Sequence, residues 1–425
     1  MPRRTSAVTV VLCLVAVIVR ASANPVPLVI TVVGTRSEVA REVGRQTADR
    51  IAARLGRSDI QQQILPFLNT SAGRIIFDEL VNRTARDFPQ YLEELHSLAK
   101  GSQHSFEHVF VLNALQELTS YPPTEGSSSP DRRRRERASV ASNKRRATSS
   151  RCTDILTQPY EGELGGFWGH NEDGGVGDRE LNYFVNATIF GDEGQSPPGR
   201  ASRRVVVERF MAYSYVGTVA GLAYGWNGHG LVMSENAVFN KVSNYRNVPT
   251  SILGRAVMAM RSIDDAISLF RWHHGSEACN VNLGHYPSGR LVTMEVDPFN
   301  YTVSVKEVFH WAGQAALPGL RQSPYFFIHV NFFQVLQSPS YTDVSSLHRL
   351  ATLAKYHAPN STHDIRRMLG DTSDPQYPVY RNVTADDDCQ TLTTAVWDLR
   401  IGTVDIYNDN PATSHAVFAW ALRLD

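Results

Sequence analysis

Apolar residues recur at helical spacing through the first quarter of the chain. Between Ser37 and Leu55, Val39, Val43, Ala48, Ile51 and Leu55 sit among Arg and Glu positions, which predicts an amphipathic helix. Residues 88–100 repeat the pattern with Tyr91, Leu92, Leu95 and Leu98, and Gly101 is placed to close that helix as its C-cap. Residues 106–118 read as a third, more deeply buried helix. After residue 152 the texture changes to short β-prone runs at 204–208, 218–224, 230–233, 290–296 and 302–308, separated by Gly, Asn and Pro. Helical spacing returns over 251–270 and 345–356, and strands at 391–407 and 416–424 close the chain. Helices and strands in this arrangement predict an α/β layered fold with mostly antiparallel sheets.

Two stretches interrupt the pattern. Arg3 and Arg4 precede an apolar run at 7–19 that is too short to span a bilayer comfortably, and Ala21-Ser22-Ala23 forms a small-x-small cleavage site. Residues 1–23 therefore read as an export signal. No later segment approaches the ~20 apolar residues of a spanning helix, so the mature chain is expected to be soluble. The second interruption, 122–151, is rich in Ser, Pro and Arg, with Arg132–Arg135 and Lys144-Arg145-Arg146 as basic runs. It has too little apolar surface to offset its chain entropy and reads as a disordered, protease-accessible processing linker. The expected organisation is a helical segment at 24–121, the linker at 122–151 and a second segment at 152–425, with 24–425 folding as one unit.

Composition adds three points. Hydrophobic residues at 42% and charged residues at 20% are those of a globular protein with a real core. Lys+Arg and Asp+Glu both total 42, leaving no net charge to attract nucleic acid, and in an exported chain the basic runs read as protease access. Acceptor sequons begin at Asn69, Asn82, Asn186, Asn300, Asn360 and Asn382, which agrees with a secreted or luminal glycoprotein.

Without the leader and its Cys13, three cysteines remain: Cys152, Cys279 and Cys389. That is no disulfide framework, and at least one thiol is left over. Cys279 and Cys389 either pair or stay buried. Cys152 stands where the basic linker meets the first ordered strand. If the bond before it breaks, its own α-amine, with a reference pKa of about 7.7–8.0, lies beside the thiol and can accept the thiol proton.

Motifs in order along the chain carry a resemblance. They are Pro89-Gln-Tyr-Leu-Glu-Glu-Leu-His-Ser-Leu-Ala-Lys-Gly101, the segment 109–117, Cys152-Thr153, and Gly169-His170-Asn171-Glu172-Asp173. Gly225-Trp-Asn-Gly-His-Gly230 with Ser234-Glu-Asn-Ala237, Val248-Pro249 and the following helix complete the set. Together they resemble the acyl-coenzyme A:isopenicillin N acyltransferase and β-alanyl-dopamine hydrolase family. The resemblance implies the four-layer αββα sandwich of N-terminal-nucleophile hydrolases, with self-cleavage between Arg151 and Cys152 into two chains that remain associated. It implies Cys152 as nucleophile and, through its freed amine, base. Asp173 would orient that amine, and Asn331, in His329-Val330-Asn331, would donate to the oxyanion. Asn171, Asn236 and Asp388 are candidate substrate contacts, and no metal or cofactor is expected.

The chain also departs from the family pattern. Arg151 stands where the fungal enzyme has Gly, and the basic linker is an insertion that a processing protease could cut. The family's substrate-carboxylate Arg gives way to Asp386-Asp387-Asp388, and Asp297 replaces a Ser. A small amine-containing amide fits these acidic replacements better than a penicillin-like carboxylate. The reading that follows is a secreted cysteine amidohydrolase or acyltransferase working through an acyl-Cys152 thioester. The alternative is an inactive secreted glycoprotein that keeps the fold as a binding module.

Overall fold

A computed structural model of the chain describes residues 24–121, 151–158, 165–192, 204–239, 243–286, 288–308, 326–338, 340, 342–384 and 388–424. The expected leader, the linker up to residue 150, and Asp386 and Asp387 lie outside the described residues.

The first strand, β1 (Leu28–Gly34), leads into α1 (Arg36–Leu55). Thr35 starts that helix with a capping box: its hydroxyl accepts from the Glu38 amide, and the Glu38 carboxylate accepts from the Thr35 amide. A π-turn at Ile60–Ile64 and the short α2 (Leu65–Leu68) lead to α3 (Ser71–Asp87) and α4 (Pro89–Ser102). The expected cap at Gly101 is corrected: α4 runs on to Ser102, and Gln103 turns left-handed at φ 59° to end it. Gly101 serves another purpose, because a Cβ there would stand 1.9 Å from the Arg41 carbonyl of α1. The third expected helix breaks at Ala114 into α5 (Phe106–Asn113) and α6 (Leu115–Thr119).

Eight strands pair in the order β1-β4-β5-β6-β7-β8-β9-β10, with β4 at Tyr183–Asp192, β5 at Arg204–Ser214, β6 at Tyr224–Asn227 and β7 at Leu231–Val238. Its remaining strands are β8 (Ala278–His285), β9 (Arg290–Asp297) and β10 (Thr302–Glu307). The β1–β4 pair is parallel, and the other neighbours in this sheet run antiparallel. A second, all-antiparallel sheet has the order β11-β2-β3-β12-β13-β14. Its strands are β2 (Arg151–Thr157), β3 (Phe167–Gly175), β11 (Phe326–His329), β12 (Cys389–Asp398), β13 (Thr403–Tyr407) and β14 (Phe418–Ala421).

Three apolar clusters show how the layers stack. Ile30, Val281 and Met294 of the first sheet pack with Ile51, Leu95 and Phe110 of the helices. Trp168, Trp397, Phe184, Tyr213, Tyr224 and Trp226 fill the space between the two sheets. Ile155, Ile328 and Val396 of the second sheet pack against Leu350 of α9 (Val344–Leu353) and Ile365 of α10 (Thr362–Leu369). The architecture is the four-layer αββα sandwich.

Two further expectations are corrected. The helix expected at 251–270 is two, α7 (Thr250–Val257) and α8 (Ile263–Trp272), the second begun by the Ser262 side chain. The run at 218–224 becomes strand only from Tyr224. Gly217 and Gly221 before it have φ of 76° and 112°, a conformation that breaks an extended chain. The Gly225–Gly230 motif is the β6–β7 turn, in which the Asn227 side chain accepts from the His229 and Leu231 amides. Cys279 and Cys389 are both buried, and no disulfide joins them. Among the described residues, no helix is long and apolar enough to cross a membrane.

Candidate active site

Cys152 is the second residue of β2, buried between β11 and β3. Strand alternation assigns its surroundings. Leu156 and Asp154, in step with Cys152, face the space between the sheets, whereas Ile155 faces α9 and α10. On β3, His170 and Glu172 share the face of the thiol, and Asn171 and Asp173 point to the opposite side.

The thiol therefore meets Glu172, with Sγ 3.7 Å from Oε2. Glu172 also accepts from the Tyr215 hydroxyl and lies 3.0 Å from Nε2 of His170, whose Nδ1 lies 2.8 Å from Asp154. Burial opposes charge on His170, but Asp154 and Glu172 overcome it and push the imidazole up to about 10. Burial, then Glu172, holds the Cys152 thiol well above its usual range. The sulfur is thus a protonated donor at the end of an Asp154–His170–Glu172 chain. Sγ of Cys152, Nε2 of His170 and Oε2 of Glu172 lie within 4.8 Å of one another, donor types that suit a soft cation, and in this chain hydrogen bonds already link them.

The backbone of Cys152 is held from the other side. Its N–H donates to Oδ1 of Asn331 at 3.1 Å, and the Asn331 amide nitrogen donates to the Ala237 carbonyl at 3.0 Å. Arg349 of α9 donates to the Cys152 carbonyl at 2.5 Å, to Thr153 Oγ1 at 2.7 Å and to Asn331 Oδ1 at 2.8 Å. Burial and the neighbouring Arg381 lower the Arg349 guanidinium to about 10, still charged at neutral pH. The segment carrying Asn331 is itself anchored by Glu295, which bonds His329 at 3.0 Å and accepts from the amides of Gln334, Val335 and Leu336.

Arg151 is extended and buried, so the position does not call for the conformational freedom of glycine. Its guanidinium takes Asp343 at 3.2 Å through both Nε and Nη2, and reaches Cys389 Sγ at 3.1 Å. Asp173, across the β2–β3 ladder from Arg151, accepts from Thr391 Oγ1 at 2.7 Å and lies 3.8 Å from Arg381. The acceptor that meets the Cys152 nitrogen is Asn331.

Asn171 ties β3 to α10 by donating to the Leu369 and Val379 carbonyls, and Asn236 accepts from Asn282 between the sheets. Neither lines the cavity that opens at Cys152, nor do Asp297 and Asp388. Asp297 accepts from the Phe299 amide and the Asn300 side chain and binds Ser338. Asp388 is exposed. The cavity is acidic through residues that sequence reasoning did not single out: Glu117, Glu172 and Glu235 line it with Cys152, Tyr215 and Leu112.

The chain matches the family model of acyl-coenzyme A:6-aminopenicillanic acid acyl-transferase over residues 160–413, and it belongs to that family of amide hydrolases and acyltransferases. Among individual proteins, it is 29% identical to the β-alanyl-dopamine/carcinine hydrolase of Drosophila melanogaster over 393 residues, 89% of this chain and 92% of that one. Solved structures are more distant. The N-acylethanolamine-hydrolyzing acid amidase ortholog of Caenorhabditis elegans aligns with a TM-score of 0.37 and 11% identity, over 64% of this chain and 99% of that one. The penicillin V acylase of Agrobacterium tumefaciens aligns at 0.35 and 11%, over 60% and 82%.

Proposed function

We propose that the chain is an exported, self-cleaving amide hydrolase or acyltransferase with Cys152 as nucleophile, acting on a small aminoacyl amide that carries a free amine. The observation that carries the reading is Cys152 itself. Its thiol lines a carboxylate-rich cavity, while Asn331 and Arg349 grip its nitrogen and carbonyl.

In maturation, Sγ attacks the Arg151 carbonyl carbon and the Cys152 nitrogen leaves with the thiol proton, giving an Arg151 thioester. Water cleaves the thioester, freeing the Arg151 carboxylate, the thiol and the α-amine. In turnover that amine takes the thiol proton as Sγ attacks the substrate carbonyl, then passes it to the leaving amine. Water or a second amine resolves the acyl-Cys152 thioester. Asn331 Oδ1 orients the amine, and its Nδ2, released from Ala237, faces the oxyanion. Asp173 acts at one remove, holding Arg381 and Thr391 beside the cleaved strand.

The choice of an amine-bearing substrate draws on the acidic cavity and on the relative named for β-alanyl-dopamine and carcinine, whose β-alanyl group ends in a primary amine. Export draws on the leader and on sequon asparagines that are exposed at 69, 82, 300, 360 and 382, with Asn186 half-buried. Two measurements on purified secreted protein test the proposal: the N-terminal sequence of its larger piece and turnover of a β-alanyl amide. A chain beginning at Cys152 that releases β-alanine supports it. A chain uncut at that bond and without turnover leaves the binding-module reading in its place.

A further inference from the structure

The buried carboxylates of this fold are nearly all spoken for. Glu94 and Glu208 bind Arg255 at 3.0 and 2.8 Å. Glu117 accepts from the Thr250 amide at 2.9 Å and from Ser276 at 2.5 Å. Glu172 holds Tyr215 and His170, and Glu295 holds His329 and three amides. Glu235 stands apart. It is 6% exposed, and its Oε1 is buried and meets no hydrogen-bond donor among the described residues.

Its place on β7 explains what it faces. Leu231 and Met233 point toward the helical layer, and Glu235 continues that series, while Ser234 turns inward to Asp154. The β6–β7 pairing ends at Tyr224 and Ser234, and beyond it only the Glu235 amide reaches back, to Ala223. The gap so left is the cavity, shared by Glu235, Glu172 and Cys152. A buried carboxyl group without a partner carries a desolvation cost that a bound cation would offset.

Building on the proposed reaction, we infer that Glu235 is the receptor for the substrate's ammonium group, holding the aminoacyl part of the amide while Cys152 attacks its carbonyl. The class of ligand follows: an aminoacyl amide with a primary ammonium a few bonds from the carbonyl. Glu172, occupied by Tyr215 and His170, stays with the thiol. Burial and then Glu172 and Glu117 hold the Glu235 carboxyl well above its ordinary range. The substrate's ammonium opposes that shift by favouring the carboxylate, and a charge-assisted hydrogen bond forms between them.

The test uses mature, cleaved protein and two substrates of matched acyl length, β-alanyl-4-nitroanilide and propionyl-4-nitroanilide. Wild type is expected to favour the β-alanyl substrate. Glu235→Gln should reduce the ratio of the two kcat/KM values by about 30-fold, mainly through KM, as expected for loss of one buried charge-assisted contact. An unchanged ratio would overturn the assignment. A second measurement needs neither turnover nor the variant: protection of the wild-type Cys152 thiol from iodoacetamide by β-alaninamide and by propionamide. Protection by β-alaninamide at roughly tenfold lower concentration supports the ammonium site, and equal protection overturns it. If neither anilide is cleaved, the proposed reaction falls, and the alkylation result decides the ammonium site alone.

Discussion

Oδ1 of Asn331 accepts the backbone N–H of Cys152 at 3.1 Å although 179 residues separate them. The contact joins β2 to the segment after β11 at the bond expected to break. The two ends of the Asn331 amide are separable by substitution. Asn331→Asp keeps an acceptor for the Cys152 nitrogen and removes the donor. Protein carrying it is expected to lose about 100- to 1,000-fold in kcat, the usual effect of one missing oxyanion donor, with a much smaller change in KM. Steady-state kinetics on cleaved protein measure both. Equal losses in kcat for Asn331→Asp and Asn331→Ala, with KM raised alike, would point to a packing role.

Cys152→Ala is expected to leave the Arg151–Cys152 bond intact and to abolish turnover, because one sulfur serves both steps. N-terminal sequencing and a gel of the purified variant check this. A variant chain cut before position 152 would assign the cut to a host protease. Cys152→Ser should process slowly and lose most amidase activity, since a hydroxyl forms its anion far less readily than a thiol at neutral pH.

Stability should depend on pH through His170. Burial works against its charge, but Asp154 and Glu172 raise it from 6.5 to about 10 in the folded chain. A group raised on folding contributes in full below its unfolded pKa, so the His170 contribution is complete below pH 6.5. It declines between 6.5 and about 10 and is absent above. The unfolding free energy of the uncut Cys152→Ala chain, from urea titration, should fall across that window by up to about 1.4 kcal/mol per pH unit. In His170→Gln the fall should flatten, and an equally steep fall there would assign the effect to other groups.

Arg151 and Asp343 form a buried pair next to the Arg151–Cys152 bond. Arg151→Ala in the uncut chain leaves the Asp343 carboxylate without that partner and is expected to cost roughly 3 kcal/mol. Arg151→Lys keeps the charge but not the two-pronged contact and should cost less. Urea unfolding of the variants in the Cys152→Ala background separates them. An Arg151→Ala chain as stable as its parent would show that the pair adds nothing beyond packing.

Cys152 was legible as a candidate nucleophile because composition shifts abruptly at residue 152 and the motif Gly169–Asp173 follows at short range. The strand parity of that motif was not. Asp173 and Glu172 are neighbours in sequence, yet pleating sends one toward Arg381 and the other to the thiol. Arg349 and Glu235 were beyond reach for a different reason. They lie 197 and 83 residues from Cys152, on α9 and on a strand of the other sheet, and only tertiary packing brings them to it. Local propensity also misread 218–224, where β-forming residues are interrupted by glycines at positive φ. The helical first quarter was legible except at Gly101, where the reason for glycine is the approach of α1.

The parallel pairing of β1 with β4 has a consequence for any protein cut before Cys152. Residues 28–34 form the edge of a sheet whose other seven strands all follow the cut, and Asn408 binds the Asn24 and Pro25 carbonyls. Before the cut, β1 finds β4 from within one molecule, at a rate independent of concentration. Afterwards the same ladder joins two molecules. Denatured mature protein must then reassemble by a bimolecular encounter, slowing with dilution, whereas the uncut chain refolds at one rate at any dilution. Such a cut would leave a fold that, once lost in dilute surroundings, no longer regains its first strand from within one molecule.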